Sequence, residues 1–242
     1  AQLNNPVFNN FNSINFLDDK FGYVVGDGGS FFKTTNGGAT WELQQGFTLN
    51  NLSKIGFLSF DNTKGFAIGA SGTLWLSINS GGNWTAGTSN TNEYLRGFYF
   101  VSGNFGWIVG NNGIILRTSD GGNTWVVQST NTAMGNLYDV NFFDLTTGWV
   151  AGSGGSIYKT ADCGVTWTKQ TSGTTQTLRS IRFLDANTGF AAGENWIILK
   201  TADGGRTWTK YATFGQSLPL YWNGLLVTPS TATITGAADR AF

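Results

Sequence analysis

The chain has 242 residues, enough for one large all-β domain or two small ones. Fourteen Lys and Arg balance fourteen Asp and Glu, and charged residues make up only 12% of the chain, so no electrostatic footprint for nucleic acid or an anionic membrane is expected. The absence of His removes the commonest general base and metal ligand, and the single Cys163 excludes an internal disulfide.

No apolar run reaches the ~18 residues that span a bilayer as a helix. The start at Ala1-Gln2 suits a mature end left after leader cleavage. Thirty-five Gly stand at recurring positions and mark turns. In chain order, residues 1–10 precede a repeat that ends in Trp five times. The copies begin at Asn36, Asn79, Asp120, Asp162 and Asp203 and end at Trp41, Trp84, Trp125, Trp167 and Trp208. The Trp-to-Trp steps are 43, 41, 42 and 41 residues, within the period of a four-stranded propeller blade. A strand-ending Gly (Gly26, Gly69, Gly110, Gly152 or Gly193) precedes each box by ten residues, so length varies only between one Trp and the next such Gly.

Each repeat reads as four short strands, A to D, rich in aromatic and β-branched residues. In the fourth repeat these are 137–143, 148–152, 156–160 and 166–170. The Asp or Asn of the box is read as accepting hydrogen bonds from the amides of its own turn, the glycines as supplying positive φ, and the Trp as packing back over the hairpin. Cys163 sits in the box as a Gly replacement.

The boxes, with the pattern S/T-x-D-G-G-x-T-W, resemble the Asp-box or bacterial neuraminidase repeat. The longer unit from Gly110 through Thr118 and Asp120 to Trp125 resembles the photosystem II assembly and stability factor family, over residues 11–242. Asp-boxes also occur in sialidases, xyloglucanases and sortilin-type receptors, so the resemblance bears on fold more than on function. It implies a propeller that holds a membrane-protein client through an arginine patch and closes by strand exchange between its termini.

The expected fold is therefore an all-β, six-bladed propeller of antiparallel four-stranded blades. The blades are 11–46, 47–88, 89–130, 131–172, 173–214 and 215–242. The sixth box would fall ten residues past Gly236, beyond Phe242. Phe16 aligns with Phe57, which puts residues 1–10 in the place of a fourth strand, and they are expected to close the last blade.

Sialidase chemistry needs an arginine cluster and an Arg-Ile-Pro start, and the start is missing. No pair of acidic residues stands out of the repeat as a glycosidase pair. Arg96 and Arg179 share one repeat position, where the fourth repeat has Tyr138, and Arg182 is near, so the three form a candidate basic spot. The D–A and B–C loops should emerge on one face, the boxes and A–B loops on the other. Trp196, beside Glu194, stands where other repeats have Gly29, Gly72, Gly113 or Gly155. It is either an exposed hot spot or folded onto a neighbouring blade. With Phe47, Phe214 and Trp222 it defines the candidate binding face. The expected function is a non-catalytic scaffold, secreted, cell-surface or periplasmic, that binds a protein, acts as an assembly factor or forms part of a surface assembly. A lectin-like module stacking sugars on Trp196 or Trp222 is the alternative, and a sialidase-type glycosidase comes third. No cofactor, metal, nucleic acid or membrane insertion is expected.

Overall fold

The computed structural model describes residues 10–212, 221–227 and 232–237, the last two segments as backbone. Twenty-two strands follow in chain order. The first sheet holds β1 (Phe11–Phe16), β2 (Gly22–Gly26), β3 (Phe31–Thr34) and β4 (Glu42–Leu43), and the second β5 (Leu52–Leu58), β6 (Asp61–Gly69), β7 (Leu74–Ser77) and β8 (Thr85–Ala86). The third holds β9 (Leu95–Phe100), β10 (Gly106–Gly110), β11 (Ile114–Thr118) and β12 (Val126–Thr130). The fourth holds β13 (Leu137–Phe142), β14 (Gly148–Gly152), β15 (Ile157–Thr160) and β16 (Thr168–Gln170), the fifth β17 (Leu178–Phe183), β18 (Gly189–Gly193), β19 (Ile198–Thr201) and β20 (Thr209–Ala212). The strands β21 (Tyr221–Val227) and β22 (Ala232–Ala237) pair antiparallel as a sixth, two-stranded sheet. The first five sheets are meanders whose spatial order is their chain order. The expected closing strand, residues 1–10, lies outside the described residues except for Asn10.

Two compact units divide the chain. One takes in the first two sheets, β9 and residues 118–127. The other takes in residues 107–117 and the described residues from 128 on.

One turn recurs five times between third and fourth strands, and its hydrogen bonds explain its sequence. A Ser or Thr hydroxyl two residues before the box residue accepts the amide four residues on: Gly38 to Thr34, Gly81 to Ser77, Gly122 to Thr118, Gly164 to Thr160 and Gly205 to Thr201, at 2.8–2.9 Å. The box residue's Oδ1 accepts the amide four residues on, from Thr40, Asn83, Thr124, Thr166 and Thr207, again at 2.8–2.9 Å. Two residues of each turn have positive φ. Cys163, at φ 64°, takes a place that Gly fills in three other copies, which accounts for it as a turn residue.

The box Trp then meets the last Phe of the first strand edge-on. The pairs are Phe16–Trp41, Phe57–Trp84, Phe100–Trp125, Phe142–Trp167 and Phe183–Trp208, with centroids 5.7–6.0 Å apart. Such pairs contribute about 0.5–1.5 kcal/mol beyond the area they bury. The Phe ring lies over the Gly that opens the second strand. A Cβ at Gly148 would stand 2.6 Å from Phe142.

The second-strand aromatic joins one repeat to the next. In the first unit the Tyr23 hydroxyl donates to Ser80 O at 3.1 Å in the next box. In the second unit Trp107 Nε1 donates to Cys163 O at 3.1 Å and Trp149 Nε1 to Gly204 O at 3.2 Å. The Trp149 ring also stacks on Phe183 at 3.4 Å and 8°. Around these rings Trp149, Ile157, Leu178, Ile181 and Leu199 form one buried cluster, and Tyr23, Phe31, Leu52 and Ile55 form another.

Polar side chains clamp neighbouring first strands. Ser53 Oγ donates to Leu95 O at 2.6 Å, Asn12 Nδ2 to Leu52 O at 2.9 Å, and Asn141 Oδ1 accepts Phe183 N at 2.8 Å.

Candidate functional site

The two ends of each sheet are built differently. At one end the box turn bonds the loop between first and second strands in all five repeats: Gly37 N to Lys20 O, Ser80 N to Thr63 O, Gly121 N to Asn104 O, Cys163 N to Thr146 O and Gly204 N to Asn187 O. At the other end the second-to-third-strand turn bonds the residue that leads into the first strand: Asp27 N to Asn10 O, Ala70 N to Asn51 O, Ser153 N to Asn136 O and Glu194 N to Thr177 O. The box turn thus meets the first loop in all five sheets, and the other expected pairing of loops is seen in four.

The turns at this second end carry the candidate residues. Each is a three-residue 3-10 turn with positive φ at its second and third positions. The third position is Gly29, Gly72, Gly113 or Gly155, and there a Cβ would come within 2.0 Å of the next loop's carbonyl, that of Thr48, Thr91, Asn131 or Thr174. In the fifth repeat the position is Trp196, at φ 60°. A bulky side chain in this conformation is strained. The indole is half-buried, and its turn packs beside β21. Trp196 is therefore neither a free-standing ring nor a core residue.

A register shift places the neighbouring Arg. In four sheets the second residue of the first strand is bulged: Asn12, Ser53, Tyr138 and Arg179 lie between paired residues. A bulge re-aims its side chain. Arg179 stacks over the Tyr138 ring, 4.3 Å from the centroid, and its Nη2 lies 2.7 Å from Glu194 Oε1, with 26% of each side chain exposed. Glu194 and Trp196 are the ends of one turn, so Trp196, Glu194, Arg179 and Tyr138 form one group.

The other candidates are dispersed. Arg182 donates to Asp139 Oδ2 at 2.6 Å, and the same oxygen accepts Ser180 Oγ and Ile181 N at 3.0 Å each. With Glu194 on Arg179 and Asp139 on Arg182, the expected basic spot is charge-compensated, because the strand spacing that brings the arginines in also brings the carboxylates. Arg96 lies in the first unit, its guanidinium 4.3 Å over Tyr94. Burial is the main cause that raises the Tyr94 hydroxyl above its ordinary value. Phe47 packs inward, stacked on Phe31 at 4.4 Å and edge-on to Trp75 at 4.9 Å, so its ring is engaged in the core. Phe214 and the side chain of Trp222 lie outside the described residues. Sequence reasoning missed Asp139, whose signal was a carboxylate in the apolar run 137–143.

Two grooves open at this end. One, about 890 Å³, lies between the fourth and fifth sheets, and one of about 400 Å³ lies in the second repeat. Among the described residues no aromatic ring floors either. Among the described residues no group of three or more Cys, Asp or Glu is placed to hold a metal, and no helix is long and apolar enough to cross a membrane.

Residues 1–92 and 130–220, more than half of the chain, match the sequence model of the family described as Photosynthesis system II assembly factor YCF48. The chain belongs to this family. A curated relative, the chloroplastic photosystem II stability/assembly factor HCF136 of Arabidopsis thaliana, is 28% identical over 148 residues, which are 55% of this chain and 34% of that protein. The chain thus spans about a third of the length of that relative. A solved structure, YCF48 bound to D1 peptide, matches with a TM-score of 0.51 and 18% identity, over 98% of this chain and 92% of that one. The xyloglucanase of Xanthomonas campestris matches with a TM-score of 0.70 and 12% identity, over 91% of this chain and 40% of that one. At these identities the structural likenesses bear on the fold alone. Together with the family they make this an all-β propeller of BNR-type repeats.

Proposed function

We propose that this chain is a non-catalytic, extracytoplasmic propeller that binds a protein partner and serves the assembly of a larger complex. Membership of the assembly-factor family carries the reading, and one solved relative, YCF48 bound to D1 peptide, supports it. The partner of this chain is read as protein on that ground. The binding end is the one that bears Trp196, Glu194 and Arg179, where the repeat is broken by a strained, half-buried Trp beside a half-buried ion pair. Aromatic and Arg side chains of this kind dominate binding energy at protein interfaces.

Six blades and Asp-box turns belong to the same proposal. Asn10 O accepts Asp27 N as Asn51, Asn136 and Thr177 accept their turns, so Asn10 stands where a fourth strand of a preceding blade leads into a first strand. Residues 1–10 then supply the outer strand to the sheet of β21 and β22.

The test is partner binding by the full chain and by Trp196→Gly, which restores the residue of the other four turns. The proposal expects at least tenfold weaker binding, about 1.4 kcal/mol, with the fold intact. Unchanged affinity would remove Trp196 from the binding site.

A further inference from the structure

We infer that the groove between the fourth and fifth sheets binds an anionic, hydroxyl-rich saccharide through Lys169 and Lys210. The groove adjoins the Trp196 turn through Asn195 and Ile197, and the inference does not rest on the protein-binding reading.

The groove is built from a device that the chain uses twice. Thr88-Ser89-Asn90-Thr91 in the second repeat and Thr171-Ser172-Gly173-Thr174 in the fourth both take positive φ at the third position, 59° at Asn90 and 71° at Gly173. In both loops the buried Ser hydroxyl donates to a Thr carbonyl two residues on, Ser89 to Thr91 and Ser172 to Thr174, at 3.2 Å. The two grooves differ in size, about 400 Å³ against 890 Å³, and in charge. Lys169 and Lys210 each stand two residues after a box Trp, where the second repeat and its neighbour have Ala86 and Val127. Both lysines are exposed and line the larger groove, and among the described residues no Asp or Glu lines it. The smaller groove has no charged side chain at all in its lining.

The chemistry of the walls selects the ligand. Apart from the two cations the described residues of the lining offer Thr hydroxyls, the Gln170 and Gln176 amides and glycine backbone, with Ile197 as their single large apolar side chain and no aromatic ring among them. A polypeptide needs an aromatic or aliphatic anchor pocket at the centre of its interface, and the described residues of this groove offer none. A saccharide bearing carboxylate or sulfate matches both the hydroxyl-bearing walls and the two exposed cations. The walls are already ordered. Asn195 donates to Gln176 Oε1, and the loop lies so close that a Cβ at Gly155 would stand 2.0 Å from Thr174 O. Little conformational entropy is then lost on binding.

The experiment is titration calorimetry of the full chain with trigalacturonate, a sulfated trisaccharide, neutral maltotriose and a hexaglutamate peptide. Binding of at least one acidic saccharide is expected, with maltotriose and hexaglutamate at least about tenfold weaker. The two acidic arms separate a carboxylate ligand from a sulfate one. Lys169→Gln with Lys210→Gln should weaken it by at least about tenfold with no change in Tm, since both side chains are exposed. Raising NaCl from about 50 to about 500 mM should weaken it as well. Absence of binding by both acidic saccharides, equal binding by the double variant, or tighter binding of hexaglutamate would overturn the inference.

Discussion

Asp120, Asp162 and Asp203 each accept three hydrogen bonds, from a Thr hydroxyl two residues earlier and from the amide and hydroxyl of a Thr four residues later. The later Thr hydroxyl is the largest cause that holds all three carboxyls below their ordinary value, Asp203 at about 2. A carboxyl whose folded pKa is depressed adds stability above its unfolded value of 3.8 and loses it as pH falls through the folded value. Tm should therefore fall between about pH 4 and about pH 2 from these groups, by a modest amount because they are solvent-screened. The Asp120→Asn, Asp162→Asn, Asp203→Asn triple variant should show a shallower fall, read by calorimetry across that range. Asn36 and Asn79 show that Asn keeps the amide bond to the turn. An unchanged acid profile would mean that other carboxylates control it. Trp196 makes a second residue-scale test. Positive φ costs an L residue about 1–2 kcal/mol, and Trp196→Gly removes that strain while losing a half-buried indole. Its stability should stay within about 1 kcal/mol of the parent in chemical denaturation, where a core Trp truncation costs about 3–5 kcal/mol.

Between elements, the ring of one repeat's second strand reaches the next repeat's box. Trp149→Phe keeps the stack on Phe183 and gives up one hydrogen bond, while Lys159 still donates to Gly204 O at 3.1 Å. The cost should be about 1 kcal/mol, as Phe66 already fills the same repeat position. Trp149→Ala leaves a cavity in the cluster with Leu178 and Ile181 and should cost about 3–5 kcal/mol. A Phe variant as damaging as the Ala one would show that the hydrogen bond, and not the stack, joins the repeats. Asp139→Ala strips Arg182, Ser180 and the Ile181 amide of one acceptor and should cost roughly 3 kcal/mol in urea unfolding. The strand edges were legible because Gly148 and Gly152 bound β14 as the sequence has them. The fourth strand starts at Thr168, two residues later than expected, because the bond from Thr166 N to Asp162 holds that residue in the turn. The ion pair of Arg179 with Glu194 was not legible, since the bulge that aims Arg179 leaves no mark in composition or spacing. Phe47, named for the binding face, packs its ring on Phe31 and Trp75, partners that no spacing in the sequence singles out.

At the scale of the whole molecule, five complete sheets, a two-stranded sixth and an Asn10 anchored as a blade-leading residue frame the proposed closure. If residues 1–10 supply the missing outer strand, their amides should exchange hydrogen slowly, and removing them should lower Tm by several degrees and speed exchange in β21 and β22. Fast exchange of residues 1–10 in the intact chain would contradict six-blade closure without touching the family. The functional claim is that a protein partner is held at the end of the sheets opposite the boxes. It is tested most directly by placing a photo-crosslinking residue at position 196 in one chain and at the exposed Val165 of a box in another, with each chain offered to extract of its native source. The account predicts a discrete protein adduct from position 196 and none from position 165. Adducts from position 165 alone, or the same adducts from both, would contradict it.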